Sequence, residues 1–273
     1  MRLLVVGGSG TLGRALVARA DPAHEVWATH ASNPVAGGRA RWHHLDVREP
    51  DVVTELVGRV RPDVIINTVS LPSSWEVTAL GPARVATAAA AVGARVVQIS
   101  SDAVFAGRES PYRPHEHPDP RTPYGAAKAA AEVAVAAVAQ DHLIVRTSLI
   151  IGDDAATEHE RLIHRRVADP ATGSLFTDDV RCPVHVDDLA DAVLELGHSE
   201  HRGVLHVAGA EAISRYDLGR LVAARDGLDA AALRGSLRRT SGVPGPVQVV
   251  LDSTSAQAQI NTRLRGASEF LRS

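Results

Sequence analysis

The chemistry of this sequence starts from a tyrosine and a lysine that are four residues apart. Tyr124 and Lys128 lie in the segment TPYGAAKAAAEVA, and Lys128 is the only lysine among 29 lysine and arginine residues. The segment is typical of a helix, so this spacing places both side chains on one face. A compact ammonium can lower the pKa of a neighbouring phenol, whereas the wide guanidinium of arginine is a poor substitute. The pair is therefore a candidate proton donor for the reduction of a ketone.

A second hydroxyl is needed to orient the carbonyl. The segment VVQISSDAVFAG ends a predicted buried strand with Ser100 and Ser101. Ligands of open α/β sheets collect at the carboxyl ends of the strands. We therefore expect one of these two hydroxyls to donate to the substrate oxygen beside the tyrosine.

A glycine-rich turn precedes these groups in the chain. In LLVVGGSGTLGRALVARA, Gly7, Gly10 and Gly13 follow an apolar run and open a helical pattern, and Gly8 in place of Gly7 fits equally well. Glycine permits a tight turn and a close approach of backbone N–H groups to a pyrophosphate. The pattern predicts a dinucleotide site, to which Thr11 and Leu12 also contribute.

The choice of dinucleotide depends on the end of the second strand, where a carboxylate would bind the ribose 2′-hydroxyl of NAD. The segment WATHASNPVAGGRARW, residues 27–42, contains no carboxylate. His30, Ser32 and Arg39 are instead candidates for binding the 2′-phosphate of NADP, although they could equally be solvated loop residues. The sequence favours NADP and leaves NAD open.

The elements that must position these groups alternate along the first half of the chain. Strands that are apolar at nearly every position are typical of a parallel sheet covered on both faces. Alternation with amphipathic helices predicts a doubly wound α/β sheet for residues 1–150. This alternation of strands and helices ends near residue 150. Residues 151–273 are predicted to form mainly a smaller C-terminal lobe that binds the substrate. At least one strand of this region is predicted to join the main sheet. The predicted strands of the first half are RLLVVG (2–7), EVWAT (25–29), DVIINT (63–68), RVVQIS (95–100) and HLIVRT (142–147).

Composition limits the partners. The formal net charge is −3 over 273 residues, so neither nucleic acid nor an anionic membrane surface is favoured. Cys182 is the only cysteine, which excludes an internal disulfide, and the histidines lack metal-ligand spacing. No apolar run is long enough to span a membrane. We therefore expect a cytoplasmic protein without a metal, whose partner is a small molecule.

These motifs together resemble the extended short-chain dehydrogenases/reductases, and most of all the dTDP-4-dehydrorhamnose reductase family. The likeness is carried by GGSGTLG, LDV (45–47), QISSDAVFAG, TPYGAAK and VRTSLIIG, and it extends into the C-terminal half. It implies a Rossmann-like fold and NADPH-dependent reduction of a dTDP-4-keto-6-deoxysugar. It also implies that Ser101 provides the catalytic hydroxyl, that Lys128 binds the nicotinamide ribose and that Asp46 contacts the adenine. Val47 and Asn67 complete the predicted cofactor contacts.

The resemblance also marks a substrate pocket and two departures near it. Ala103 stands where the family has tyrosine, and Leu149 stands where it has tryptophan. Related dehydratases carry a second carboxylate after the acid at Asp102, and its absence here favours reduction over dehydration. Arg181 and His185 are placed near the substrate, where they could meet a diphosphate or could serve packing alone.

Two other functions remain open from the sequence. The chain also resembles the regulatory subunit of methionine adenosyltransferase, a binding protein of this fold. The departures at Ala103 and Leu149 permit a ketone that carries no nucleotide. A homodimer is a further expectation.

Overall fold

A computed structural model describes residues 1–32, 38–153 and 157–272. The strands are β1 (Arg2–Val6), β2 (Glu25–His30), β3 (Arg41–His44), β4 (Val64–Asn67), β5 (Arg95–Ser101), β6 (His142–Thr147), β7 (Ile150–Ile151), β8 (Leu175–Phe176), β9 (Val180–Arg181), β10 (Val184–His185), β11 (Gly203–His206), β12 (Ile213–Ser214) and β13 (Gly235–Ser236). The α-helices are α1 (Thr11–Arg19), α2 (Pro50–Val60), α3 (Gly81–Val92), α4 (Pro123–Val138), α5 (Glu158–Ala168), α6 (Val186–Gly197), α7 (Arg215–Arg225), α8 (Arg238–Ser241), α9 (Thr254–Gln257) and α10 (Ala267–Phe270). A π-helix spans Glu76–Leu80, and short 3₁₀ turns span Asp102–Val104, Pro170–Thr172 and Ala230–Ala232.

Seven strands form one parallel sheet in the order β11-β6-β5-β4-β1-β2-β3. The chain leaves β1 towards β2 and β3 on one side, then returns to build β4, β5 and β6 on the other. This reversal opens a crevice at the carboxyl ends of β1 and β4, where ligands bind in doubly wound folds. The predicted fold class is confirmed.

The sheet is covered on both faces because its strands alternate two apolar sets. Leu3 and Val5 of β1 belong to a core with α1 and α6, whereas Leu4 and Val6 belong to a core with α2, α3 and α4. All four side chains are fully buried. This double burial explains the continuous apolar run in the sequence.

The edge strand β3 was not predicted from the sequence. Its residues, RWHH, are exposed or half-buried, so they carry no apolar run. Pairing with β2, which places Trp27 opposite Arg41, forms this strand.

The C-terminal part combines elements of the sheet with a separate group of short strands. β11 joins the edge of the main sheet, and α6 packs against α1. Three two-stranded ladders, β7–β10, β8–β13 and β9–β12, lie outside that sheet. They accompany an apolar cluster built mainly from α5 and α7 with residues of α10. The division into domains at residue 150 stays a prediction.

Within the described part of the chain, no helix combines the length and apolarity that a membrane crossing requires.

Candidate active site

The glycine turn joins β1 to α1 in a conformation that only small residues allow. Gly7 has φ +84°, and a Cβ built on Gly13 would lie 2.2 Å from the Gly7 carbonyl oxygen. Gly10 is the N-cap of α1 and has no side chain that could cap the helix. The N-terminus of α1 is therefore left open for an anion, as a pyrophosphate group requires. Thr11 and Leu12 lie in this first turn.

Gly8 has a different role from the other glycines of this turn. A Cβ at Gly8 would lie 2.9 Å from the Cβ of Ala28 and 3.1 Å from the Trp42 ring. Its small size lets the turn pack against β2 and β3. The structure therefore builds the turn on Gly7, Gly10 and Gly13.

The carboxyl end of β2 lies beside this turn. The Thr29 hydroxyl accepts a hydrogen bond of 3.0 Å from the Gly7 backbone N–H, which fixes the turn against the strand. His30 is half-buried at the end of β2, and Ser32 is exposed just beyond it. Both lie on the side where the adenosine end of a dinucleotide would bind.

Arg39 does not join this group, which corrects the sequence-based expectation. Its guanidinium donates to the carbonyl oxygens of Ala20, at 2.9 Å, and Asp21. These residues follow the C-terminus of α1, at the opposite end from the glycine turn. The pairing of β2 with β3 places Arg39 at the amino edge of the sheet, so a phosphate at the glycine turn is out of its reach.

The other predicted cofactor contacts follow β3 and end β4. The Asp46 carboxylate accepts from the Arg48 backbone and side chain, and the Arg48 hydrogen bond lowers the pKa of Asp46. Val47 is buried against Gly81. The Asn67 amide is fully buried and donates to the Gln98 side chain at 2.8 Å.

The structure brings Tyr124 and Ser101 together at the carboxyl end of β5. Thr122 caps α4 by accepting from the Gly125 backbone N–H at 3.1 Å, and this cap starts the helix one residue before Tyr124. Ser70 donates to the Tyr124 hydroxyl at 3.5 Å. The Ser101 hydroxyl lies close enough to this phenol to lower its pKa. A carbonyl oxygen placed there would meet two hydroxyls, of which the Tyr124 phenol is the candidate proton donor.

The electrostatics of Tyr124 differ from the sequence-based expectation. Burial raises the pKa of this phenol above its ordinary value, the hydroxyls of Ser70 and Ser101 oppose the rise, and Asp102 adds to it. In the protein alone, the Lys128 ammonium instead donates to the Ile99 carbonyl oxygen at 3.1 Å. Burial lowers the pKa of Lys128 to about 8. The predicted lowering of the tyrosine pKa by the lysine is thus not seen in the protein alone.

Ser100 and Ser101 point to different surroundings. The Ser100 hydroxyl donates to the Glu132 carboxylate at 2.5 Å in the interior. The Ser101 hydroxyl accepts from the Ala103 backbone N–H at 3.1 Å and is half-buried beside Tyr124. Alternation along β5 therefore leaves Ser101 on the side of the site, where the resemblance placed it.

The residues predicted to contact the substrate lie in different parts of the structure. Ala103 is half-buried beside the start of α4, since a Cβ on Gly125 would lie 2.1 Å from the Ala103 carbonyl oxygen. Leu149 is buried in the apolar cluster of the lobe. The buried His185 ring caps α6 by accepting from the Asp187 backbone N–H at 3.2 Å.

Arg181 is held inside the protein. Its guanidinium donates to the carbonyl oxygens of Val180 and Pro246 at 2.7 and 2.9 Å, and it pairs with Asp179 at 2.8 Å. Its Nε also lies 3.6 Å from the Asp102 carboxylate. A contact with a diphosphate would have to replace one of these bonds, so the substrate role of Arg181 stays a prediction.

Two residues of the site escaped the sequence reasoning. Ser70, in the loop after β4, contacts the Tyr124 hydroxyl. Arg14 is exposed beside the glycine turn, where its Nε donates to the Ser9 carbonyl oxygen at 2.9 Å. Its position directly after Gly13 is a local signal that could have revealed it, whereas Ser70 is brought to the site only by the order of the strands.

Over residues 1–32, 38–153 and 157–272, no group of three histidine, cysteine, aspartate or glutamate side chains could hold a metal ion.

Comparison with known proteins identifies the family. The model described as "RmlD substrate binding domain" matches residues 1–271. The chain belongs to this family. It is also 31% identical over 99% of its length to a dTDP-4-dehydrorhamnose reductase of Mycolicibacterium smegmatis, of which it covers 84%. The resemblance found in the sequence is thereby confirmed.

Two further proteins are similar to this chain: a solved structure, which shows the same fold, and a relative with a different name. The crystal structure of dTDP-4-dehydrorhamnose reductase from Bacillus anthracis in complex with NADP superposes with a TM-score of 0.83 at 21% identity, and the match covers 99% of this chain and 96% of that one. Methionine adenosyltransferase 2 subunit beta of Bos taurus is 29% identical over 85% of this chain and 74% of its own length.

Proposed function

We propose that this protein is an NADPH-dependent reductase of a ketone on a sugar nucleotide, most closely a dTDP-4-keto-6-deoxysugar. The observation that carries the proposal is the position of the Tyr124 hydroxyl, which contacts Ser70 and lies close to Ser101 at the carboxyl end of β5. The buried Lys128 ammonium lies one turn further along the same helix. This group lies at the edge of the sheet where the open N-terminus of α1 would bind a dinucleotide.

The residues divide the work of the reaction as follows. NADPH, when bound, supplies the hydride. Ser101 orients the carbonyl oxygen, and Tyr124 donates the proton that this oxygen takes up as it becomes a hydroxyl. Lys128 binds the ribose hydroxyls with a compact, rotatable set of donors.

The proposal of NADP as cofactor is supported by the ends of two strands. His30 ends β2 and Ser32 follows it, in a segment (residues 27–42) whose sequence contains no carboxylate. The Asp46 carboxylate, which follows β3, already forms an ion pair with Arg48. The exposed Arg14 adds a positive charge beside the glycine turn. NAD is the alternative, to be separated by comparing the two dissociation constants.

The proposal of a sugar nucleotide is supported by the relatives whose names state such a substrate, since the chain covers most of their length. We place the sugar between Ser101, Ala103 and Leu149 and the diphosphate towards Arg181 and His185. A ketone without a nucleotide is the alternative, because Ala103 and Leu149 are smaller than their family counterparts. We also propose that the protein works in the cytoplasm, because its single cysteine makes no disulfide, and as a homodimer.

The first prediction tests the proton donor. Tyr124→Phe removes only the hydroxyl, so we expect turnover to fall by about 10² to 10⁴ while the NADPH dissociation constant stays unchanged. NADPH oxidation with a dTDP-4-keto-6-deoxysugar measures turnover, and cofactor fluorescence measures binding. Tyr112→Phe is the matched control, because that phenol bonds to the Gly107 backbone outside the site. Undiminished turnover in Tyr124→Phe would rule out this assignment.

The relative named methionine adenosyltransferase 2 subunit beta favours a second candidate, a regulatory subunit that binds the dinucleotide without turning it over. Copurification with an enzyme partner, together with no NADPH oxidation over a panel of ketones, would support that candidate. A binding protein has no need of Ser101, Tyr124 and Lys128 in one place, which is why we prefer the reductase.

A further inference from the structure

One face of α4 is joined to β5 at three successive helical turns. Tyr124, Lys128 and Glu132 are each four residues apart, so they share this face. The Tyr124 hydroxyl meets the Ser101 side chain, the Lys128 ammonium donates to the Ile99 carbonyl oxygen, and Glu132 accepts from the Ser100 hydroxyl. The helix and the strand therefore contact each other at every residue from 99 to 101.

Glu132 is the most firmly held of the three. Its side chain is buried, and its carboxylate receives the Arg146 guanidinium of β6 at 2.8, 3.0 and 3.2 Å. Arg146 is itself buried and donates to the carbonyl oxygens of Pro114 and Glu116 at 3.1 and 3.0 Å. Such bidentate pairs fix geometry as well as charge. Glu132 thus ties α4 to both strands at the level of the catalytic hydroxyl.

The same carboxylate governs the charge around Lys128. Burial lowers the pKa of Lys128, and the negative charge of Glu132 opposes that fall. Without Glu132, Arg146 would lose its buried carboxylate partner, and Lys128 would lose the negative charge that opposes the effect of burial on its pKa.

The remaining charges near α4 are engaged elsewhere. Asp102, after β5, bonds to Ser148 and lies near Arg181. The neighbouring α3 and π-helix contribute Arg84 and Glu76, which pair with each other at 3.2 Å.

We propose that Glu132 is a positioning residue: through Ser100 and Arg146 it fixes α4 on the end of β5, and it sets a negative charge one helical turn from the Lys128 ammonium. Its consequence for turnover rests on the proposed reductase function, whereas its effect on Lys128 does not.

The sequence offers a direct test, because Lys128 is the only lysine in the chain. Lysine labelled with ¹³C at Cε gives a single side-chain NMR signal, whose titration reports Lys128 alone. We expect a midpoint near pH 8 in the unmodified protein and a lower midpoint in Glu132→Gln, because the opposing negative charge is gone. An unchanged or raised midpoint in that variant would overturn the electrostatic part of the proposal.

Turnover supplies the second test. In Glu132→Gln, the pH above which kcat falls should move down, so the loss of kcat should be smaller at pH 6.5 than at pH 8. A loss of the same size at every pH would contradict the electrostatic part of the proposal. Glu160→Gln is the matched control, because it breaks the buried Glu160–Arg225 pair (2.8 Å) in the lobe and should leave the pH profile in place.

A neutral substitution keeps the positioning claim testable if Glu132→Gln does not fold. Ser100→Ala removes one of the three links without changing any charge, so kcat should fall about threefold to tenfold with the Lys128 titration unchanged. An unaltered kcat in Ser100→Ala would refute the positioning role. If the unmodified protein reduces no ketone, the proposed function fails, while the NMR titration still decides the inference about Glu132.

Discussion

The buried carboxylate of Glu132 pairs with one guanidinium group, that of Arg146, whereas the buried carboxylate of Asp179 pairs with three. Asp179 is fully buried and lies 2.8 Å from Arg181, 2.7 Å from Arg238 and 3.4 Å from Arg215. The first group lies under the main sheet, and the second lies among the short strands of the lobe.

The difference reflects how the two regions are held together. Strands of four to seven residues join the main sheet by continuous backbone ladders, so few side chains are needed to connect them. The lobe has ladders of only two residues, and arginines bind its loops instead. Arg238 reaches the Pro244 carbonyl oxygen, and Arg181 reaches that of Pro246. Buried charges thus carry more of the cohesion of the lobe than of the sheet.

The largest expected effect is a loss of stability when the shared carboxylate of the lobe is neutralised. Asp179→Asn leaves three guanidinium groups without their shared counter-charge, so we expect the free energy of unfolding to fall by about 3–5 kcal/mol. Denaturant titration measures it. Glu158→Gln is the control, since its carboxylate is exposed beside two exposed arginines, and it should leave the titration midpoint in place. A similar small change in both variants would mean that Asp179 is dispensable.

The next effect compares a buried histidine of the sheet, His206, with a half-buried histidine of the lobe, His159. Burial, with Arg146 second, lowers the pKa of His206 on β11 from 6.5 to about 4, and burial beside Arg215 does the same for His159 in the lobe. The unfolded chain takes up protons that the folded protein excludes, so stability present above pH 6.5 is lost as the pH falls towards 4. For His206 this amounts to about 3 kcal/mol.

Replacement of His206 isolates its share of this acid sensitivity. We expect His206→Leu to flatten the dependence of unfolding free energy on pH between 6.5 and 4, leaving the part due to His159. His117→Leu, at an exposed position, is the control. If His206→Leu unfolds over the same pH range as the unmodified protein, the lobe alone sets acid stability.

The smallest expected effect on stability comes from alanine substitutions at two glycines of the sheet region, Gly13 and Gly58. A Cβ at Gly13 would strike the Gly7 carbonyl, whereas one at Gly58, inside α2, meets nothing within 4 Å. We expect Gly13→Ala to cost about 1–3 kcal/mol and to weaken NADPH binding, and Gly58→Ala to gain about 0.5–1 kcal/mol. Thermal unfolding with and without NADPH measures both. Equal NADPH affinity in the two variants would contradict the role given to the glycine turn.

Much of the sheet and its turn could be predicted because the signals are local. The apolar runs of β1, β4, β5 and β6 reflect burial on both faces, and the glycines reflect the space inside one turn. The strand β3 has no such run, since it lies at an edge. The place of Arg39 could not be predicted either, because it depends on the pairing of β2 with β3.

The sequence by itself determined that Tyr124 and Lys128 share a helical face and that a glycine turn follows a buried strand, since both depend only on spacing along one element. Only the tertiary structure decided that Ser70 meets Tyr124, that Arg146 holds Glu132 and that Asp179 gathers three arginines. The physical reason is that these contacts, apart from that of Asp179 with Arg181, join groups on different elements of the chain. Their partners are chosen by strand order and by the loops that the packed sheet brings together.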